Sequence, residues 1–474
     1  MAGDCVLVLD VGKSNTKLTL WTAAGRRLAG RVRPNSSVRA PTHAALDVEG
    51  IESWLEGSLA ELSEIADVGF IVPVAHGAAA ALLDGDQLAL PPACYEEFPP
   101  PPLYAEYDAL RDPFVDTGSP RFPEGLNLGA QLYRLETLAP QIWPSAGVLV
   151  TYPQYWAWRL SGIASTEVTS LGCHSDLWRP FERRFSNLAV KRGWAERFAP
   201  LRDAREILGP ITREWAHRTG LPSDCQVLCG VHDSNAAFHG ARAHSELAGR
   251  DVTVISTGTW FVAMRAPAPE SPFDPGRLCP ERDTLLNVDI DGNPAPSARF
   301  MGGREVEFLV GGDDSPLRAP DFVRDVAPKA ICDVLVSGSM IAPTFARGVG
   351  PFPKREGRWE GPELKGAARR AAVGLYLALV ADASLSLIGA CDAIVVEGRF
   401  AEDASFIGML ASLRSDADVY ITTSNDALAF GAQRLVNDAL TPPEALKKAS
   451  PLPYEVGAYA SRWKHALVGG RERA

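Results

Sequence analysis

Hydrophobic positions alternate or cluster in short runs at residues 5–10, 17–22 and 28–33, with turn residues between them at Gly12 and at Ala24-Gly25. Runs of this length bounded by glycine-bearing turns predict three β-strands in a meander. The period then changes. Over residues 48–65, Ile51, Trp54, Leu55, Leu59, Leu62 and Ile65 fall near one face of a 3.6-residue repeat, which predicts a helix, followed by an apolar strand at 68–75. Residues 91–102 end in four consecutive prolines and predict an exposed connection, because proline removes a backbone donor and cannot sit inside a sheet or helix. Residues 147–162, rich in aromatic and apolar side chains, predict a helix packed on the same domain.

A second start follows at Val252. VTVISTGTWFVAMRA repeats the scheme of VLVLDVGKSNTKLTLW: an apolar strand, a turn of Gly and hydroxyl residues, and another apolar strand. Two copies of one device predict two similar domains, 1–245 and 246–474. Residues 341–366 are crowded with Gly, Pro and charge and predict a loop. After it come a helix from 367, a strand at 393–397, a helix at 405–413, a strand at 419–422 and a helix at 426–440, the alternation of an α/β layer.

Composition narrows the function. The 474 residues carry 47 basic and 58 acidic side chains, a formal charge of −11 without a Lys/Arg run, which excludes a nucleic-acid surface. The cysteines at 5, 94, 173, 225, 229, 279, 332 and 391 lack the paired spacing of a zinc site or the density of a disulfide scaffold and read as reduced thiols. The N-terminal residues are acidic where a signal peptide needs basic ones, and the most membrane-like stretch, 371–390, is interrupted by Asp382 and reads as a buried helix. These features predict a soluble cytoplasmic protein with no membrane partner.

The two hairpin turns are where the chemistry concentrates. Glycine permits unusual φ values and lets an anion approach closely, so a turn dense in Gly and hydroxyls can direct several N–H groups at one phosphate. Asp10, Gly12, Ser14, Asn15 and Lys17 lie within eight residues at the end of the first strand; Ser256, Thr257, Gly258 and Thr259 form the second turn. Either alone is equally a polar hairpin turn. Gly12-Lys13-Ser14 imitates the tail of a Walker A loop, but Leu7 stands where that motif needs glycine, and a strand rather than a helix follows.

DVGKSNTK, GVHDSNAA, ISTGTW and the late NDALAFGA, in this order, resemble the motifs of the FGGY carbohydrate kinases, a branch of the sugar kinase, actin and Hsp70 superfamily. TYPQYWAWRLSG resembles that family's helix near the sugar, and the ISTGTW and HDSNAA pieces are most similar to the rhamnulokinase and fuculokinase branch. The resemblance implies an α/β fold of two actin-like (ribonuclease H-like) domains around a central cleft. It implies transfer of the γ-phosphate of ATP, with Mg²⁺, to a hydroxyl of a small sugar of the rhamnulose, fuculose, xylulose or ribulose type. It also carries the expectation of a homodimer.

Residue by residue, the resemblance makes Asp233 the general base, which also faces the metal, and Asp10 the carboxylate that positions Mg²⁺. On local sequence alone Asp233 or Ser234 is as well explained as a helix cap. Gly12, Ser14, Asn15 and Lys17 would attend the phosphates from the first domain and Thr257, Gly258 and Thr259 from the second. Gly398, Asn425 and Ala429 would form the adenosine pocket, although Glu397 and Arg399 flank a single glycine where relatives carry two or three. His76, Gln154, His232 and Asp233 would contact the sugar. Lys13 stands where the family more often has a small hydroxyl residue. A catalytically silent nucleotide- and sugar-binding regulator of the same fold is the alternative, and it would not need Asp233.

Overall fold

The computed structural model describes residues 3–97, 101–143, 147–271, 273–310, 326–423 and 426–468. They divide into two compact units. The first comprises Met1–Ala243, Leu286–Pro294 and Asp426–Pro443, the second His244–Leu285, Ala295–Asn425 and Glu444–Ala474. The chain first changes unit between Ala243 and His244, and two later segments return to the first unit.

In the first unit the predicted meander forms: Cys5–Val11 pairs antiparallel with Asn15–Trp21, which pairs antiparallel with Arg27–Pro34. On its other side Cys5–Val11 runs parallel to Val68–Ala75, and the sheet continues through Gln226–Leu228 to an antiparallel edge at Ile207–Pro210. The period-two pattern of the first strand decides its two faces. Leu7 and Leu9 join a core with Leu55 and Leu59 of the helix Val48–Ser63 and with Trp156 of the helix Tyr152–Ser161. Val6 and Val8 join another, with Ala236, Ala429, Ala432 and Leu435. Leu55 and Leu59 are essentially inaccessible, and each such burial contributes about 1.5–3 kcal/mol.

The second face is closed by the helices Asp233–Ala241 and Ala427–Val436. They cross at glycine: a Cβ on Gly431 would stand 1.8 Å from the Ala236 carbonyl oxygen, and one on Gly240 would stand 2.4 Å from that of Ala427. The glycine of the NDALAFGA motif thus permits backbone-to-backbone contact with the helix that begins at Asp233.

The second unit repeats the scheme. Val252–Thr257 pairs antiparallel with Phe261–Ala266 and parallel with Asp392–Gly398; the sheet runs on through Ala417–Ile421 to an antiparallel edge at Lys447–Lys448. On the other side Phe261–Ala266 pairs antiparallel with the strand ending at Phe300. The membrane-like stretch is the helix Gly366–Leu387, whose apolar residues from Ala371 to Ala381 are covered by protein. Gly374 lets it approach the helix Ala404–Leu413, since a Cβ there would meet Ser405 Oγ at 1.9 Å.

Two local expectations change. The proline-rich segment is not simply exposed: Pro92, Ala93 and Cys94 are buried, because Cys94 N donates to the Ala44 carbonyl and His43 bonds the Pro91 carbonyl, while Pro101 opens the helix Pro101–Asp108. Proline in the first turn of a helix lacks only a donor that has no intrahelical partner there. Residues 147–162 are a strand, Val148–Thr151, and then a helix, Tyr152–Ser161, with Pro153 in its first turn and Gly162 at its left-handed end.

Candidate active site

Asp10 lies one residue from the end of its strand, opposite Lys17 across the antiparallel ladder, with Lys17 Nζ 3.7 Å from its carboxylate. The intervening turn is closed by a hydrogen bond from Gly12 N to the Asn15 carbonyl at 3.0 Å and tied from outside by Asn35, which donates to the Gly12 carbonyl at 2.7 Å. Ser14 and Asn15 are exposed at its tip. Burial pushes the Asp10 carboxyl up to about 7, the negative charge of Asp233 adds to the rise, and Lys17 only partly offsets it.

Asp233, whose charge acts on Asp10, is presented by a tight turn. Cys229 and Gly230 connect Gln226–Leu228 to the two-residue strand Val231–His232, which runs parallel to the end of Val68–Ala75. Gly230 has φ +82°, and a Cβ there would stand 2.2 Å from the Pro73 carbonyl oxygen, so no other residue fits. Asp233 is the first residue of the helix that follows. Its Oδ1 accepts from Ser234 N at 2.5 Å and from Ser234 Oγ at 3.1 Å, and His232 Nε2 lies 3.2 Å from it.

Gln154 supports this turn from below. It is fully buried, its amide donates to the Cys229 and Gly230 carbonyls at 3.0 and 3.1 Å, and its oxygen accepts from Thr151. The sequence reading placed it on the sugar; its polar atoms instead bind the backbone that presents Asp233. Glu167 lies buried behind the same turn: it accepts from Thr169, whose hydroxyl accepts the His232 N–H at 3.1 Å. Burial raises the Glu167 carboxyl to about 7.

His76 follows the strand Val68–Ala75. Its Nδ1 donates to the Gly77 carbonyl at 2.7 Å, which leaves Nε2 as an acceptor, and burial lowers its pKa. The ring contacts Tyr95 edge-on at 5.5 Å and Tyr152 at 4.9 Å. Lys13 binds Glu96 at 2.9 Å and lies 5.7 Å from the centre of the Tyr95 ring. Burial, then Glu96 and Asp233, raise the Tyr95 hydroxyl above its ordinary value. Tyr95 and Glu96 were missed in the sequence because they sit in the proline-rich segment; Lys13, whose position departs from the family pattern, was the one signal pointing toward them.

In the second unit the turn after Val252–Thr257 is closed by Gly258 N donating to the Trp260 carbonyl at 3.0 Å. Thr257 is buried, and its hydroxyl donates to the Glu397 carbonyl at 2.6 Å and accepts from Phe400 N at 3.0 Å. It therefore ties the turn to the Gly398 loop, leaving Gly258 and Thr259 as the more open groups. Gly398 has φ +86° and would meet the Thr257 carbonyl oxygen at 2.3 Å if it carried a Cβ. Gly303, at the start of the helix Gly302–Leu309, would similarly meet the Gly258 carbonyl oxygen at 2.5 Å. Glu397 is buried with Ser256 donating to it, and burial raises its carboxyl to about 7. Asn425 lies outside the described residues. Ala429 packs in the first unit's core beside Val6, Val8 and Ala236 rather than with the Gly398 loop's unit, since its helix is held there by the glycine crossing.

Residues 249–444 match the family model for the FGGY carbohydrate kinase C-terminal domain. A carbohydrate kinase from Novosphingobium aromaticivorans is 44% identical in sequence, with a TM-score of 0.92, over 97% of this chain and 100% of that one. The chain belongs to the FGGY carbohydrate kinases. The fold is shared more widely in that family. A xylulose kinase from Rhodospirillum rubrum matches at 19% identity and TM-score 0.74, over 98% of this chain and 96% of that one. Plasmodium falciparum glycerol kinase with ADP matches at 12% and 0.78, over 100% and 99%. As an FGGY kinase the chain is a phosphotransferase with an alcohol group as acceptor and a small sugar as substrate.

Proposed function

We propose that this FGGY kinase phosphorylates a ketose or deoxyketose, of the xylulose, ribulose, rhamnulose or fuculose type, with Asp233 as general base. The observation that carries the assignment of the base is the one-sided hydrogen bonding of Asp233. The backbone N–H and the hydroxyl of Ser234 both donate to Oδ1, which leaves Oδ2 to take the proton of an acceptor hydroxyl. The substrate O–H bond breaks as its proton passes to Oδ2. The alcohol oxygen bonds the γ-phosphorus, and the bond from that phosphorus to the β–γ bridging oxygen breaks, releasing ADP.

Among the described residues no group of three His, Cys, Asp or Glu could hold a metal. Mg²⁺ retains waters and binds phosphate oxygens, so it asks for only one or two protein carboxylates. Asp10 and Asp233, which repel one another with Lys17 as partial counter-charge, fit that requirement. Bound there, Mg²⁺ would neutralise phosphate charge, while Lys17 and the N–H groups of the Gly12 turn orient the anion. The Gly258–Thr259 turn would serve the nucleotide phosphates from the second unit. His76, with a neutral ring and a free acceptor, is suited to a sugar hydroxyl.

The test is ADP release from MgATP with a panel of ketoses, deoxyketoses, gluconate and glycerol, against a control without acceptor. Ketose-dependent release that Asp233→Ala lowers by at least about 10²–10⁴-fold supports the reading. Retained turnover in that variant, or release with gluconate or glycerol alone, overturns it.

A further inference from the structure

Lys13 and Glu96 form an ion pair to which the phosphoryl-transfer reading gives no task. Lys13 Nζ lies 2.9 Å from Glu96 Oε2, and its side chain is 21% exposed against 58% for Glu96. Three separate segments meet here. Lys13 comes from the turn after the strand Cys5–Val11, Tyr95 and Glu96 from the proline-rich segment, and Glu124 from the turn before the helix Leu128–Leu138. Gly125 N donates to the Tyr95 carbonyl at 2.8 Å and so fastens the third segment to the second. Burial and then the charge of Glu96 raise the Glu124 carboxyl, so the two acids act on one another.

The pair stands on the acceptor side of the sheet. The strands Cys5–Val11, Val68–Ala75 and Val231–His232 are parallel and end in register, Val11 beside Ala75 and Ala75 beside His232. Lys13, His76 and Asp233 follow those three ends directly or within two residues. Small ligands of parallel α/β sheets bind beyond the carboxyl ends of the strands. The Tyr95 ring spans the gap, with its centre 5.5 Å from that of His76 and 5.7 Å from Lys13 Nζ.

The charges around Tyr95 decide what can lie against it. One ammonium stands beside two carboxyl groups, Glu96 and Glu124, and that ammonium is committed to Glu96. Lys17 lies 3.7 Å from Asp10, and Arg39 and Arg134 both bind Glu97. Each of these cations already has its carboxylate, while Asp233 adds a further negative charge that reaches the Tyr95 hydroxyl.

We infer that the Lys13–Glu96 pair is a specificity determinant: by neutralising Lys13, Glu96 suits the acceptor site to an uncharged sugar and turns away a sugar acid. This rests on the reading of a ketose acceptor beside His76 and Asp233. Discrimination of this kind comes from a penalty on the wrong ligand, here a carboxylate brought toward Glu96 and Glu124 without a counter-charge of its own.

The experiment uses the full chain with MgATP and the ketose of the panel above that gives the fastest ADP release. Gluconate, an open-chain polyol with one carboxylate, is titrated as a competitor, and its inhibition constant is divided by the KM of the ketose. Glu96→Gln keeps the shape of the side chain and frees the Lys13 ammonium, and the ratio is expected to fall at least about fivefold. Added salt should shrink that fall. In the double variant Lys13→Met/Glu96→Gln the freed cation is gone, and the ratio is expected to return to within about twofold of wild type. A ratio unchanged in Glu96→Gln, or lowered equally in the double variant, overturns this inference while ketose turnover stands. Wild-type turnover of gluconate faster than that of any ketose overturns the ketose reading and this inference together.

Discussion

The two hairpins, 5–21 in the first unit and 252–266 in the second, are built on one plan. In each, the first strand has an antiparallel partner on one side and a parallel partner on the other, and both sheets continue to an antiparallel edge. The register shows where they part. Asp10 stands next to last in its strand, opposite Lys17 and Val74; Ser256 stands next to last in its own, opposite Val262 and Glu397. The acid has moved one strand across. In the first unit it feels the charge of a second carboxylate, Asp233, with a lysine 3.7 Å away; in the second it is buried under a serine hydroxyl. One topology thus carries two inventories: two carboxylates and a lysine in the first unit, and a buried acid beside a turn of hydroxyls and glycine in the second.

The sharpest break of this comparison is Asp10→Asn. It keeps the shape of the first turn but removes half of the carboxylate pair, and kcat/KM with MgATP is expected to fall about 10²–10³-fold, or roughly 3–4 kcal/mol. Steady-state rates over a Mg²⁺ titration check it; a change under tenfold would deny Asp10 its role. Because removing the second acid also removes repulsion, the same variant should melt higher than wild type at pH 8.

Gly398→Ala comes next. Its left-handed φ and the 2.3 Å approach to the Thr257 carbonyl make a methyl group intolerable, and a loss of stability of about 2–4 kcal/mol is expected in chemical unfolding. Gly25, also left-handed but meeting only the Leu440 side chain at 3.4 Å, is the control, and Gly25→Ala should cost less.

Glu397→Gln tests the buried acid of the second unit. A carboxyl held near 7 binds its proton more tightly folded than unfolded, so its contribution to stability is complete below about pH 4.5. That contribution is lost as pH rises toward 7. The neutral amide escapes this, so the advantage of the variant should grow from pH 5 to pH 8 and reach on the order of 2–3 kcal/mol. Unfolding curves at several pH values read it directly, and a pH-independent difference would contradict the assigned cause. The smallest effect is expected at Lys17, whose side chain is 54% exposed. Lys17→Met should change stability by under about 1 kcal/mol, and a several-fold rise in the KM for MgATP would mark it as a phosphate contact.

Much of this was legible beforehand because it is local. The alternation of Val6, Leu7, Val8 and Leu9 predicts a strand with two apolar faces, and Ile51, Leu55, Leu59 and Leu62 predict the covering helix. Asp10 and Asp233 stood out as acids ending or following apolar strands. Gln154 was misplaced because its neighbours in sequence are aromatic, while the groups it binds, the Cys229 and Gly230 carbonyls, lie about 75 residues on. Tyr95 and Glu96 were hidden by the prolines around them, since proline content reports backbone donors and not burial.

The sequence by itself determined the strands, the helices, the repeated hairpin and the chemical inventory, because these follow from short-range periodicity and from which residues tolerate tight turns. Only the tertiary structure decided which acids act on one another, which hydroxyls are already committed, and that the helix of NDALAFGA closes the first unit through Gly240 and Gly431. Those outcomes depend on atoms brought within a few ångströms across more than a hundred residues of chain, and hydrogen-bond direction and burial, which decide what a side chain can do, exist only once that approach is made.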